Sequence, residues 1–451
     1  MLVTYLKITA VSLPLIWLLS LSPSINEWRK AISRQPAIWV TGLILFALFF
    51  WPSDASSAHD LAGLSGGRLA RVIILPLVGL YWLYQISLVS KVLSRTAPWT
   101  LALVLYCVWA LISVSYSPDP LLSLWKCFEY FVLIVFAIGI QAYTRTLGDY
   151  MDLFNGAMFL VLAVCVFSAV GIVLEPSLSL SINPDLDGAA FSGDMHSRWG
   201  IFPRVNPNSL AQFGALLSSV AVVEFYRSSR SHGMLLSLVV LIGLFCVLAA
   251  HSRTSLFALG FMLVLIAFFL RRGGLLFVYV AIAALLGIAA MDLILEFVLR
   301  GQSAEQFSSL TGRTLIWELA WEKFLKSPIW GFGFYAGHLS LDVSHIFSDR
   351  FSTVDNTFLE VMVDLGIIGL FLIVLALARI LRNAFRAKGG LLATDDVSIL
   401  WVQAVVVTFA ILVRATTAPT FHIFHVNAYL LIVVASVFGA LAWVREHAAG
   451  K

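Results

Sequence analysis

Arg253 closes an apolar run as Ala250-His251-Ser252-Arg253-Thr254-Ser255, and Arg313 follows Gly312 at the start of an amphipathic stretch. A guanidinium kept at the end of a hydrophobic segment either snorkels to lipid headgroups or serves as an anion ligand in a membrane cavity. For Arg313, a cation at a helix N-terminus opposes the helix dipole. The placement is easier to explain if an anion binds there, because free backbone N–H groups and a guanidinium together make a phosphate site. Asp355-Asn356 opens a later hydrophobic segment. Both residues are favoured helix caps. A carboxylate held in that direction is also placed to act as a general base, although a helix N-terminus lowers its pKa and weakens it in that role.

Further candidates surround these. Arg198 and Arg204 lie in Ser197-Arg198-Trp199-Gly200-Ile201-Phe202-Pro203-Arg204, where arginine beside aromatic rings suits a sugar or phosphate surface. Asn206-Pro207-Asn208-Ser209 then turns the chain into a helix. Asp185 and Asp187 form an Asp-x-Asp pair of the kind that can hold a divalent cation, a pattern that also arises often by chance. Arg414 flanks the last outer turn and is read as lining the same cavity. His422 and His425, beside it, read as satisfied interface residues. The cysteines Cys107, Cys127, Cys165 and Cys246 sit in apolar runs without a CxxC pair, which points to inert buried thiols.

The elements that must position these residues are membrane helices. Hydrophobic residues make up 60% of the chain and charged residues 12%, about half the charge of a soluble domain. The class is an all-α polytopic membrane protein. The net charge of +4 is too small to imply a nucleic-acid partner. Apolar segments of spanning length fall at about 3–21, 37–52, 71–90, 98–116, 124–142, 151–174, 208–226, 233–250, 254–270, 274–297, 356–379, 397–415 and 423–444. That gives 12 to 13 transmembrane helices in a single transmembrane domain, 1–451. The first segment reads as retained in the membrane. If the segments alternate, Arg29, Lys30, Arg34, Lys91, Arg95, Arg145, Arg227, Arg230, Arg271, Arg272 and the cluster Arg379 to Lys388 share one side. The excess of positive charge makes that side cytoplasmic. The outer loop 175–207 and the large loop 298–355 then face outward, the larger one forming a cap over the site. In a Gram-negative cell the outward side is the periplasm.

Within the large loop, 312–327 reads as an amphipathic helix at the bilayer interface. Trp317, Trp321 and Leu325 recur at i, i+4, i+8, with Ile316, Leu319, Ala320 and Phe324 beside them. Ser327-Pro328 stops it, and Gly331-Phe332-Gly333 allows a tight fold under the cap.

Ser252-Arg253, Gly312-Arg313-Thr314 through Trp317, Pro328 to Gly333, and Asn356 with Leu359 and Gly366 to Gly369 together resemble the O-antigen ligase and polymerase family of bacterial inner-membrane proteins. The likeness spans about 200–440. It implies a GT-C-like fold and an enzyme that moves a glycan from undecaprenyl diphosphate on the periplasmic face. The acceptor is a second lipid-linked glycan for a polymerase of surface polysaccharide and lipid A-core for a ligase. Membrane lipid and other polysaccharide-assembly proteins are the implied partners. Arg253 and Arg313 match the arginines proposed in the family to hold the diphosphate. The family carries His-Asn where this chain has Asp355-Asn356. Asp355 thus stands at the base position, with His338 and His345 as substitutes, and the departure favours a polymerase over a ligase.

The chemistry is self-consistent. A diphosphate leaving group develops charge that two arginines can stabilise, so neither metal nor cofactor is expected. A base takes the acceptor's proton as its hydroxyl attacks the anomeric carbon. Arg198, Arg204, Asn356, Trp317, Arg414 and His338 are the expected substrate contacts. The competing reading is a transporter or flippase. It calls for broken helices or paired charges at the bilayer midplane, and most of the notable charges here lie toward the outer surface.

Overall fold

The computed structural model describes residues 2–50, 66–90, 92, 96–180, 197–227, 233–271, 313–341, 354–388 and 396–448. The described residues are helical apart from turns and one isolated bridge, Gly200 to Val205. Among them, nine helices are long and apolar enough to cross a membrane, and a bent pair raises this to ten. The shorter apolar helices Gly233–Ala249 and Arg253–Phe269 match two further expected segments. The segment expected at 274–297 lies outside the described residues. Large side chains such as Leu105, Val108 and Leu111 are exposed on one side of Pro98–Ser113, as befits helices whose solvent is lipid.

The bent pair corrects one expectation. Arg29, Lys30 and Arg34, which the expected spans 3–21 and 37–52 leave in the connection between them, lie on a helix, Pro23–Arg34. It meets Pro36–Phe50 at 104°. Ile25, Trp28 and Ala31 bury one face of it, which leaves the basic residues on the other. Lys30 and Arg34 pair with Glu27 there, and Arg34 also reaches Asp152 at 2.7 Å.

The chain divides into two compact units. The first comprises Met1–Trp39, Met151–Thr311 and Lys388–Val413. Its centre is a helical hairpin in which small residues let backbones approach. A Cβ on Gly214 would stand 2.4 Å from the carbonyl oxygen of Gly243. Pro207–Arg227 begins as the sequence suggests: Asn206 Oδ1 accepts from Ser209 N at 2.8 Å. On the same helix the buried Glu224 carboxylate accepts from Ser24 Oγ and Gln403 Nε2, each at 2.8 Å.

The second unit comprises Val40–Tyr150, Gly312–Ala387 and Arg414–Lys451. Trp82 fills the space left by Gly139 and donates its indole N–H to Thr41. Pro120–Tyr143 is capped by Asp119, which accepts from Leu122 N at 3.0 Å. The helix expected at 312–327 is present as Arg313–Lys326. Ile316, Ala320 and Phe324 are its buried stripe, while Trp321 and Leu325 are exposed at 48% and 57%. The longest helix of the unit, Thr357–Lys388, is broken internally at Gly366.

Candidate functional site

Gly366 has φ 65° and ψ −164°, conformations a helix cannot hold. The break changes which backbone groups pair. Ile367 N no longer serves the carbonyl one turn back; it donates to Pro328 O at 2.8 Å. The released carbonyls of Val363 and Asp364 accept from Phe332 N at 2.9 and 3.1 Å, and Asp364 O also accepts from Gly333 N at 2.8 Å. The 328–333 turn therefore completes the hydrogen bonding of the broken helix, as buried backbone groups require. Trp109 closes the site by donating its indole N–H to Leu365 O at 3.1 Å. Glycine is needed at both contact points. A Cβ on Gly331 would stand 2.4 Å from Asp364 C and O, and one on Gly366 2.2 Å from Ile329 O.

The break also aims Asp364 into the loop. The carboxylate is 1% exposed. It accepts from Tyr335 N at 3.0 Å and His338 N at 2.7 Å. His338 Nδ1 lies 3.0 and 2.9 Å from its two oxygens. Burial alone would push the His338 imidazole down, but the Asp364 carboxylate, helped by Glu360, outweighs it and raises the pKa to about 9. At neutral pH His338 is thus a buried, charged donor.

A second acidic group, Glu360, sits one turn away. It accepts from Val354 N at 3.1 Å. Its other oxygen lies 3.1 Å from Nε2 of the buried His422. Val354 O accepts from Trp317 Nε1 at 2.9 Å, so the Val354 peptide is held from both sides, immediately before Asp355. Asp355 has φ 54°. Asn356, rather than Asp355, caps the helix: its Oδ1 accepts from Phe358 N and Leu359 N at 3.1 and 3.2 Å. Thr357 Oγ1 bonds Ala418 O and Thr420 Oγ1. The turn it holds leads to His425, a half-buried residue. Burial first, then Arg414 and His422, lower its pKa to about 3. Its Nδ1 accepts from Asn427 N at 3.1 Å, as a neutral ring can.

The two imidazoles set opposite pH limbs. His338, whose pKa is raised from 6.5 to about 9 by Asp364 and Glu360 against burial and Lys323, contributes stability below about pH 6.5 and loses it as pH rises through 9. His425, whose pKa is lowered from 6.5 to about 3, contributes stability above about pH 6.5 and loses it as pH falls toward 3. The melting temperature of the detergent-solubilised protein is expected to peak between these limbs. His338→Asn should flatten the alkaline limb and His425→Asn the acid limb. A wild-type melting temperature constant from pH 7 to 9 contradicts the assignment.

Of the residues singled out in sequence, the second unit holds Trp317, His338, Asp355, Asn356 and Arg414. Arg313 begins the cap helix there, and its side chain lies outside the described residues. The first unit holds Arg198, Arg204 and Arg253. Arg198 bonds Pro176 O at 2.5 Å and Ser179 Oγ at 3.2 Å. Arg204 lies over the Trp199 ring at 5.8 Å. Arg253 is half-buried at the first position of Arg253–Phe269, after Ser252. Asp185, Asp187, Gly312 and His345 lie outside the described residues. Sequence reading passed over Glu360 and Asp364. Their signal was present: carboxylates inside an apolar segment are costly unless they have a role.

No curated protein matches the chain. Residues 238–374 match the model of a protein family described as O-Antigen ligase. That stretch holds Arg253, the cap helix, the 328–333 turn, His338, Asp355-Asn356 and the break at Gly366. Residues 238–374 thus carry an O-antigen ligase domain, which supports the resemblance to the O-antigen ligase and polymerase family.

Proposed function

We propose that the protein polymerises surface polysaccharide, either O-antigen or exopolysaccharide. It would transfer a glycan from an undecaprenyl-diphosphate carrier to a sugar hydroxyl of a second lipid-linked unit on the periplasmic face of the inner membrane. The O-antigen ligase domain supports glycan transfer. The observation that carries the narrower reading is Asp355, an acidic residue at the position where the resemblance places histidine. Asp355 is the proposed base. Arg253 and Arg313 are each a proposed ligand of the donor's diphosphate, and Arg198, Arg204, Asn356, Trp317, Arg414 and His338 are proposed to line the substrate path. Transfer to lipid A-core is the second reading, favoured by the description of the matched family.

The test supplies purified protein in nanodiscs with lipid-linked repeat units, with or without lipid A-core. Polymerisation gives a ladder of lengthened glycan from the donor alone. Ligation gives product only when lipid A-core is present. No product under either condition overturns both readings and returns transport to the front. In the same assay Arg253→Lys and Arg313→Lys are expected to fail, because a lysine cannot present the planar bidentate fork to a phosphate. Normal glycan from either lysine variant would remove that arginine from the proposed site.

A further inference from the structure

Tyr335 adopts φ 64° and ψ −39°, and Ala336 N donates across it to Phe334 O at 2.8 Å. This is the γ-turn with a positive φ at its centre, the rare and strained form. Glycine would adopt it far more easily. The turn is held entirely by its neighbours and by the Tyr335 amide. Phe334 N donates to Ser113 Oγ at 2.9 Å, and Phe334 O accepts from Ser123 Oγ at 2.6 Å. The amides of Tyr335 and His338 both donate to Asp364. None of these bonds uses the tyrosine side chain, so a residue with no ring would satisfy them equally. A bulky residue held in a strained conformation, whose ring makes none of the turn's hydrogen bonds, points to a use for the ring.

The surroundings indicate which use. The ring is half-buried. Its edge meets the His338 ring at 5.2 Å and 75°. Lys126 Nζ, itself paired with Glu129 at 2.9 Å, lies 4.7 Å from the ring centroid. Among the described residues the Tyr335 hydroxyl has no hydrogen-bond partner. A partly open aromatic ring, an uncommitted hydroxyl and an adjacent ammonium match the chemistry of a sugar. A pyranose offers an apolar C–H face for the ring and hydroxyls for the polar groups.

We propose that Tyr335 contacts a sugar ring of the glycan substrate, and that Asp364 is the positioning residue that keeps the strained turn in place. This rests on the glycan-transfer reading above. Three variants test it: Tyr335→Gly and Tyr335→Asn, both of which accept positive φ, and Tyr335→Phe. Each is assayed for transfer from lipid-linked glycan and for melting temperature in detergent. The glycine and asparagine variants are expected to melt no lower than wild type while kcat/KM falls about 10-fold or more. Tyr335→Phe is expected to raise KM with kcat nearly unchanged, the mark of a lost ground-state contact. Wild-type kcat/KM in the glycine and asparagine variants overturns the inference. A marked fall in melting temperature in both also overturns it, because the ring would then be structural. If the wild-type protein transfers no glycan, the functional reading fails and takes this inference with it. If the wild type transfers and the variants match it, only the inference fails.

Discussion

Asp355→Asn is expected to lower the rate of glycan transfer by about 10²–10⁴-fold, the usual loss for a missing general base. The substitution is unusually clean here. Asn356 supplies the helix cap, so changing Asp355 leaves the cap in place. Asparagine is also among the residues most tolerant of positive φ, and Asp355 has φ 54°. Backbone, volume and capping are therefore preserved, while the carboxylate's charge and its capacity to accept a proton are removed. Asp355→His is the companion, since it restores the residue type that the family resemblance places there. Activity in the histidine variant but not the asparagine variant supports a base. If Asp355→Asn turns over as fast as wild type in the lipid-linked assay, Asp355 is structural and the base must be sought elsewhere. His338 is a poor second choice near neutral pH, because Asp364 keeps it protonated up to about pH 9.

Asp364→Ala is expected to destabilise the protein by about 3–5 kcal/mol, the range for removing one partner of a buried ion pair. That is a large part of the 5–15 kcal/mol or so that separates folded from unfolded states. The loss has two sources. His338 is left buried without its counter-charge, and the amides of Tyr335 and His338 lose their acceptor. The double variant Asp364→Ala with His338→Leu removes the stranded charge but not the stranded amides. It should therefore recover only part of the loss. Thermal shift in detergent and monodispersity on size-exclusion would report both. A single variant as stable as wild type would mean that the carboxylate does not organise the loop.

Much of the architecture was legible because membrane helices announce themselves by length and apolarity. Twelve of the expected apolar segments coincide with helices among the described residues. The cap helix, expected at 312–327, was found at Arg313–Lys326, since periodicity and the Ser327-Pro328 stop are local signals. The broken helix was not legible. Val361 to Leu377 is an almost unbroken apolar run, and a glycine there is ordinary in a membrane helix. What breaks it is a set of hydrogen bonds from residues more than thirty positions earlier, which no periodicity encodes. The same holds for His338 with Asp364 and for Glu360 with His422. Asp355 and Asn356 show a different limit. Both are good caps, and which one fills the role depends on a single step of register.

The exchanged hydrogen bonds at Gly366 also bear on biosynthesis. Ribosomes deliver the chain from its N-terminus, so Phe332 and Gly333 are made before Val363 and Asp364. The donors that satisfy the broken helix are thus synthesised before the carbonyls that need them. Backbone groups left unpaired in lipid cost several kcal/mol each. The order of the two segments in the chain therefore places the donors ahead of the carbonyls they pair with.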